Sequence, residues 1–203
     1  MAGLPRAVLW DVGNVIVRWD PRTLYSKIFD DAAERDQFLS TVCTPFWNLA
    51  HDAGRPMDEG IAELVAAHPH HEGAIRAWKD RWWEMFSGAI PETESVMDAL
   101  AAAGVPQFGL TNMSAETCEG TFAMSPVFGH LKDIVVSGHH RITKPDPAIY
   151  RLACERAGFG AEEMLFIDDS AHNIEGARAL GFHVHRFEDP AALRGAIETF
   201  GLL

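Results

Sequence analysis

The chain has 203 residues, 47% hydrophobic and 23% charged, a composition typical of a globular protein with a sizeable core. Seventeen basic and 29 acidic residues give a formal net charge of −12, which argues against nucleic-acid or anionic-membrane partners. Three widely spaced cysteines without a CxxC pair favour reduced thiols and a cytoplasmic location over disulfides or structural zinc.

The first predicted strand is an apolar run at about residues 6–10 that ends on a carboxylate. Asp11 follows Trp10, and a turn containing Gly13 comes next. Folding requires the apolar residues but not the acid. Because ligands of open parallel α/β sheets bind at the carboxyl ends of strands, Asp11 is a candidate nucleophile or metal ligand. The alternative is a purely structural role, in which Asp11 caps the following turn.

Residues 17–88 show helical periodicity without a clear strand, and they hold five of the six tryptophans. Four segments predict successive helices: LYSKIFD, AERDQFLSTV, MDEGIAELVAAH and EGAIRAWKDRWWEMF. Tryptophans at such spacing more often pack in a helical core than form a substrate platform. This applies to Trp78, Trp82 and Trp83. The pattern predicts an all-helical insertion after the first strand.

The remainder of the chain alternates strands and helices. Four further apolar runs predict strands, at about 105–110, 133–137, 163–167 and 182–187. Helical patterns lie between them, at Glu92–Ala103, Pro147–Ala157 and His172–Leu180. Each helix is followed by a glycine suited to a left-handed C-cap, namely Gly104, Gly158 and Gly181. The order predicts a doubly wound parallel sheet, with residues 1–16 and 89–203 forming the core and 17–88 the insertion.

Three of these later segments carry a polar residue at the end of a predicted strand or just before a predicted helix. VPQFGLTN ends on the hydroxyl of Thr111, followed by Asn112. ITKPDPAIY places Lys144 just before a helix that begins with proline, and the predicted strand in MLFIDDS ends on the acid pair Asp168 and Asp169. Taken singly, these residues could be a helix cap, a solvated lysine and another N-cap. Their significance lies in their order along the chain.

An Asp, then a Thr, then a Lys, then an acid pair, each at a strand or loop end, resembles the haloacid dehalogenase-like superfamily over nearly the whole chain. The resemblance implies a Rossmann-like α/β core with a helical cap, which is the 17–88 insertion. It also implies phosphatase activity on a small phosphorylated molecule, since most members are phosphatases. Oligomeric state is left open.

The same resemblance assigns roles. Asp11 would attack phosphorus to form an acyl phosphate. Mg²⁺ would be held by Asp11, the Gly13 carbonyl and Asp169, with oxygen ligands of the kind that it prefers. Asp168 would act through water or orient Lys144. Asn173 would support the metal ligands from behind. The substrate phosphate would be bound by Thr111, Asn112 and Lys144.

One position departs from the superfamily pattern. Its phosphatases carry a second acid two residues after the nucleophile, where this chain has Gly13, and losing such a group forfeits about 10²–10⁴-fold in rate. A subgroup resembling sugar-phosphate phosphatases shares the Asp-x-Gly-Asn-Val stretch, which implies glucose 1-phosphate-like esters. His51 and Asp52, in NLAHDAGRP, are hypothetical sources of the missing acid, although the segment is also a plausible polar loop.

Two alternatives stay open at this point. A metal-independent 2-haloacid dehalogenase also attacks with Asp and needs no acid at position 13, because halide leaves without a proton. A binding or regulatory protein on the same fold would explain Gly13 by lost turnover. The acid pair argues against the first alternative, since extra acids beside a metal-free nucleophile only repel it. The retained Asp11, Thr111 and Lys144 argue against the second.

Overall fold

The computed structural model describes residues 3–203, so the first two residues of the predicted core lie outside the described part. The strands are β1 (Ala7–Trp10), β2 (Val17–Trp19), β3 (Phe86–Ala89), β4 (Gln107–Thr111), β5 (Leu131–Val136), β6 (Met164–Asp168) and β7 (His183–Arg186). The helices are α1 (Pro21–Tyr25), α2 (Ala32–Thr41), α3 (Pro45–Asp52), α4 (Met57–Ala67), α5 (Glu72–Asp80), α6 (Pro91–Ala102), α7 (Cys118–Phe122), α8 (Ser137–His140), α9 (Pro147–Ala157), α10 (Ala171–Ala179) and α11 (Leu193–Thr199).

A five-stranded parallel sheet in the order β5-β4-β1-β6-β7 forms the core and confirms the predicted fold class. Every residue of β1, β4 and β6 is buried, because helices cover both faces of a sheet of this kind. Side chains alternate between two apolar clusters: Val8 and Trp10 pack on one face, Ala7 and Leu9 on the other. The near-continuous apolar runs in the sequence are the result.

The predicted glycine C-caps are confirmed. Gly104 and Gly158 have φ of +74° and Gly181 has φ of +94°. This left-handed conformation costs a residue with a Cβ about 1–2 kcal/mol, so each glycine stops its helix cleanly.

Residues 17–88 pack around an apolar cluster of their own that includes Tyr25, Phe38, Trp78 and Trp82. The expectation of an all-helical insertion was wrong in one respect: β2 and β3 form a small antiparallel sheet, pairing Val17 with Ala89. The two strands lie side by side where the chain leaves and re-enters the core. At three and four residues, they are too short to give a detectable alternation.

Two finer predictions for the insertion also need correction. The helix predicted in LYSKIFD is α1, which begins earlier because Asp20 accepts a hydrogen bond from Arg22 N and caps it. The helix also ends earlier, at Tyr25. Trp83 remains 44% exposed, whereas the other two tryptophans of the predicted cluster are buried. Across the described residues, no helix is both long and apolar enough to cross a membrane.

Candidate active site

The carboxyl ends of β4, β1 and β6 lie next to each other at one edge of the sheet, because these strands are neighbours and parallel. Asp11 directly follows β1, Thr111 ends β4 and Asp168 ends β6. The sheet therefore brings three of the sequence candidates together, although 157 residues separate the first from the last.

Lys144 lies at the centre of this group. Its Nζ is 2.8 Å from Asp11 Oδ1, 2.7 Å from Asp168 Oδ2 and 3.0 Å from the carbonyl oxygen of Leu110. Burial opposes the charge, but the two carboxylates outweigh it and raise the pKa of Lys144 above its usual range. Three oxygens match the three N–H groups of an ammonium. A direct bond from Lys144 to a substrate phosphate would therefore replace one of them.

The side chain of Asn112 fixes the backbone of Lys144. Asn112 Oδ1 accepts a hydrogen bond from Lys144 N at 2.8 Å, and Asn112 Nδ2 donates to Lys144 O at 3.1 Å. From the sequence, Asn112 was expected only to bind the phosphate. The paired amide contact is a second function, since it places the Lys144 ammonium below the end of β4.

Both oxygens of Asp168 are occupied. Oδ1 accepts from Ser170 N at 2.8 Å and from Asn173 Nδ2 at 3.1 Å, while Oδ2 accepts from Lys144 and Asn173. The Asp168 side chain is fully buried. Its partners hold the lysine and the first turn of α10 in place, which leaves Asp169 as the freer carboxylate of the pair.

Oxygens of the carboxylates of Asp11, Asp168 and Asp169 all lie within 4.8 Å of one another. Burial raises the pKa of Asp11 to about 8; the Lys144 ammonium opposes this shift and Asp168 adds to it. Burial and Asp168 also raise the pKa of Asp169. Opposite ligands of an octahedral Mg²⁺ are about 4 Å apart, so an all-oxygen set at this spacing fits that ion. When all three acids are ionised, one lysine leaves them with surplus negative charge; a divalent cation would offset it and so favour the ionised forms that bind the ion.

Gly13 and Thr111 line a cavity of about 80 Å³ at the end of the sheet, together with Asn112 from the core and Asp52 and Trp82 from the insertion. A Cβ built on Gly13 would have no atom within 4 Å. The absence of a side chain at position 13 therefore leaves open space beside the predicted nucleophile.

The two acid/base candidates from the insertion are separated by the structure. Asp52, at the end of α3, faces the cavity, and its Oδ2 accepts a hydrogen bond from Asn48 Nδ2 at 3.1 Å. His51 is fully buried inside the insertion; its Nδ1 lies 3.2 Å from Arg55 O and its ring packs edge-on against Trp47. The structure does not bring His51 to the cavity wall. Asn48 was not among the residues predicted for the site, because α3 itself was not predicted.

A wider cleft of about 1000 Å³ opens between the insertion and the core. Its lining mixes polar groups with aromatic surface, including Trp19, Arg22, Asp36, Phe46 and Asn112. The Arg22 Nε lies 3.1 Å from Asp36 Oδ1 at the mouth. The cleft can admit a small organic molecule to the end of the sheet.

Comparison with known proteins identifies the family of this chain. The haloacid dehalogenase-like hydrolase family model matches residues 5–181, and the chain belongs to that family of hydrolases. An (S)-2-haloacid dehalogenase of Burkholderia cepacia is 27% identical over 143 residues, 70% of this chain and 58% of the relative. A phosphatase of Mycobacterium tuberculosis is 26% identical over 113 residues, 55% of this chain and 52% of the relative. The chain thus spans about half the length of these curated relatives.

Solved structures share the fold. A HAD-like family hydrolase of Porphyromonas gingivalis aligns with a TM-score of 0.71 at 19% identity, covering 97% of this chain and 98% of that one. A HAD family enzyme of Bacteroides thetaiotaomicron, solved with magnesium and inorganic phosphate, gives 0.66 at 20% identity, covering 93% and 98%. An L-2-haloacid dehalogenase of Xanthobacter autotrophicus gives 0.66 at 16% identity, covering 96% and 83%.

Proposed function

We propose that the protein is a Mg²⁺-dependent phosphatase that hydrolyses a small phosphorylated metabolite through an aspartyl phosphate on Asp11. The cluster of Asp11, Asp168 and Asp169 around one lysine carries the proposal. An anionic phosphate could not approach this surplus negative charge without a cation. A divalent ion removes the conflict, whereas a metal-free enzyme gains nothing from crowding acids at its nucleophile.

In this proposal, Asp11, the Gly13 carbonyl and Asp169 hold the ion. Asp168 is saturated by Lys144, Ser170 and Asn173, so it orients the lysine instead of binding directly. Bound Mg²⁺ would supply positive charge against the phosphate oxygens and fix their orientation.

The chain's own residues then account for the two chemical steps. A carboxylate oxygen of Asp11 forms a bond to phosphorus as the ester P–O bond breaks, and the leaving oxygen takes up a proton. The Thr111 hydroxyl and the Asn112 N–H hold phosphate oxygens, and Lys144 keeps the Asp11 carboxyl oriented. Water then attacks phosphorus, releasing inorganic phosphate and restoring the Asp11 carboxylate.

A sugar phosphate is the proposed substrate class. The Asp-x-Gly-Asn-Val stretch from Asp11 to Val15 supports it, and so does the cleft lining. Asn14, Asp20 and Ser40 offer hydrogen-bonding groups, while Trp19 offers apolar surface to one face of a ring.

The direct test is an assay of metal-stripped protein on phosphorylated metabolites and 2-haloacids, with and without Mg²⁺. We expect phosphate release that Mg²⁺ restores, a phosphoenzyme trapped by acid quench, and loss of both in Asp11→Asn. Mg²⁺ should also raise the melting temperature of the wild type but not of Asp169→Asn. Asp98→Asn, an exposed carboxylate on α6, is the control for surface charge. Phosphoenzyme formation by Asp11→Asn would contradict the nucleophile assignment.

A 2-haloacid dehalogenase is the second candidate, because curated relatives carry that name and position 13 lacks an acid. Asp11 would then attack the halogen-bearing carbon, and halide would leave without a proton. Arg22 lines the cleft and is a candidate partner for a substrate carboxylate, which would compete with its ion pair to Asp36. Halide release that is independent of Mg²⁺ in the same panel would establish this reading instead. If folded protein released neither phosphate nor halide from these substrates, a binding role would be indicated.

A further inference from the structure

We propose that Asp52, supplied by the inserted helices, is the proton donor to the leaving oxygen and the base for the attacking water. The inference rests on the proposed phosphatase function and identifies a residue that completes it. It follows from the cavity beside Gly13, from the way the Asp52 carboxyl is held, and from the charges that face it.

The cavity leaves one choice of proton carrier within the described residues. Its walls are formed by Gly13, Thr111, Asn112 and Met113 from the core side and by Trp19, Asn48, Asp52, Trp82 and Phe86 from the other. Among these lining residues, Asp52 is the only one with an acidic side chain that can give and take a proton. Gly13 adds no side chain to this cavity, and a Cβ built there would meet no atom within 4 Å, so the space beside the predicted nucleophile is open on the wall that Asp52 shares.

Asp52 is fixed to the core as well as to its own helix. Its carboxyl accepts a hydrogen bond from Asn48 Nδ2, and the backbone N–H of Ser114 lies near enough to stabilise the carboxylate form. Its carbonyl oxygen accepts from Ser137 Oγ at 2.6 Å, and the same hydroxyl accepts from Met113 N at 2.9 Å. Residues 113 and 114 follow the strand that ends on Thr111. The backbone of Asp52 is thus tied to the segment that carries the phosphate-binding candidates, and the carboxyl lies beside that segment.

The electrostatic surroundings suit a group that must both give and take a proton. Burial raises the pKa of Asp52 to about 7, against the opposing effects of the Ser114 N–H and the Lys144 charge. Other charged or titratable groups on the packed elements have partners elsewhere: Glu63 with Arg55, Asp58 and Glu116 with Lys79, His139 with Cys118 and His140 with Arg156. Lys144 is therefore the charge that acts on the Asp52 carboxyl.

The proton balance closes over one turnover. As the ester P–O bond breaks, the Asp52 carboxyl gives its proton to the leaving oxygen and becomes a carboxylate. As water attacks the phosphorus of the aspartyl phosphate, the Asp52 carboxylate takes a proton from that water. The P–O bond to Asp11 then breaks, and both acids return to their starting state.

A leaving-group series tests this role. A proton donor matters for a poor leaving group, such as a sugar or alkyl oxygen, and little for 4-nitrophenolate, which is stable as an anion. In Asp52→Asn we expect kcat/KM to fall about 10²–10³-fold on alkyl phosphates and less than about fivefold on 4-nitrophenyl phosphate. The fall in wild-type kcat/KM above pH about 7 should disappear, and phosphoenzyme should accumulate in the steady state.

Two further variants complete the test. Asp58→Asn makes the same change at an exposed carboxylate on α4 and should leave the leaving-group dependence unaltered. Gly13→Asp, for which the structure has space, should restore at least tenfold of the lost alkyl phosphatase activity in the Asp52→Asn background. Equal losses on both kinds of ester, or an unchanged pH profile, would overturn the role of Asp52. No Mg²⁺-dependent phosphate release by the wild type would overturn the proposed function itself, and this inference with it.

Discussion

Replacing Lys144 by methionine should destabilise the fold strongly, because the lysine is the counter-charge of two buried carboxylates. The Lys144 side chain is 1% exposed, that of Asp168 0% and that of Asp11 10%. Methionine keeps most of the apolar volume but leaves both acids without their cation. Breaking a buried pair from one side costs about 3–5 kcal/mol. In a domain of this size, each kcal/mol lowers the melting temperature by about 2–4 °C, so a fall of about 6–20 °C is expected.

Lys79→Met is the matched control. Lys79 also has two acidic partners, Asp58 at 2.8 Å and Glu116 at 3.0 Å, but its side chain is 33% exposed and the Asp58 side chain 81%. Solvent screens such pairs, so the expected cost is about 0–1 kcal/mol. The difference between the two lysines isolates burial from the loss of a positive charge.

The assay is urea unfolding without metal at pH 5 and pH 7.5. At the lower pH, carboxyl groups that have lost their counter-charge can take up protons in the folded state, so the cost of Lys144→Met should shrink there. Lys144 itself stays charged at both values, because Asp11 and Asp168 outweigh burial and raise its pKa. A cost below about 1 kcal/mol at pH 7.5, or an equal cost at both pH values, would refute the argument that buried charge dominates at this site.

Two further changes are predicted from the same structure. Burial raises the pKa of Asp52 to about 7, so the folded state binds more protons than the unfolded state and stability falls as pH rises from about 4 through 7. Asp52→Asn removes this pH dependence. Its free energy of unfolding relative to the wild type should therefore rise by on the order of 3 kcal/mol between pH 5 and pH 8 in urea unfolding, and a difference that is constant with pH would contradict the shift. Gly138→Ala would place a Cβ 2.5 Å from Ala115 N and 2.8 Å from Met113 O. It should cost about 1–3 kcal/mol in the same measurement. Gly129→Ala, which meets no atom within 4 Å, is its control, and equal effects would mean that the clash relaxes freely.

The core half of the candidate site was predictable because the strands were expected to be parallel, and the carboxyl ends of parallel strands lie at one edge of the sheet. An apolar run that ends on Asp11, Thr111 or Asp168 places a polar group at one edge of a parallel sheet, whatever the details of packing. For Lys144, the sequence predicted acidic partners at the strand ends but not the individual atoms that it contacts. Its hydrogen bond to Leu110 O and the hydrogen bond from the Asn112 side chain to the Lys144 backbone depend on the conformation of the loop before α9. No local sequence pattern predicts that conformation.

The insertion was harder to interpret because α3 was not recognised. Its start does carry a signal: Thr44 caps the helix by accepting a hydrogen bond from Trp47 N, and Pro45 occupies the first turn. With that helix assigned, Asn48 and Asp52 fall four residues apart and share a face. His51 is rotated about 100° from Asp52, so the two adjacent candidates could not both face the cavity.

Which helical face turns towards the core was a separate question that spacing could not answer. The Ser137 hydroxyl fixes it by donating to the Asp52 carbonyl oxygen, a contact between residues 85 positions apart. Its partner Met113 N lies two residues beyond Thr111. A single buried serine thus couples the orientation of α3 to the end of β4. If Asp52 is the proposed proton donor, Ser137→Ala should lower kcat/KM more on alkyl phosphates than on 4-nitrophenyl phosphate, while the proposed metal-binding residues are unchanged. A wild-type leaving-group dependence in that variant would show that α3 is held by other contacts.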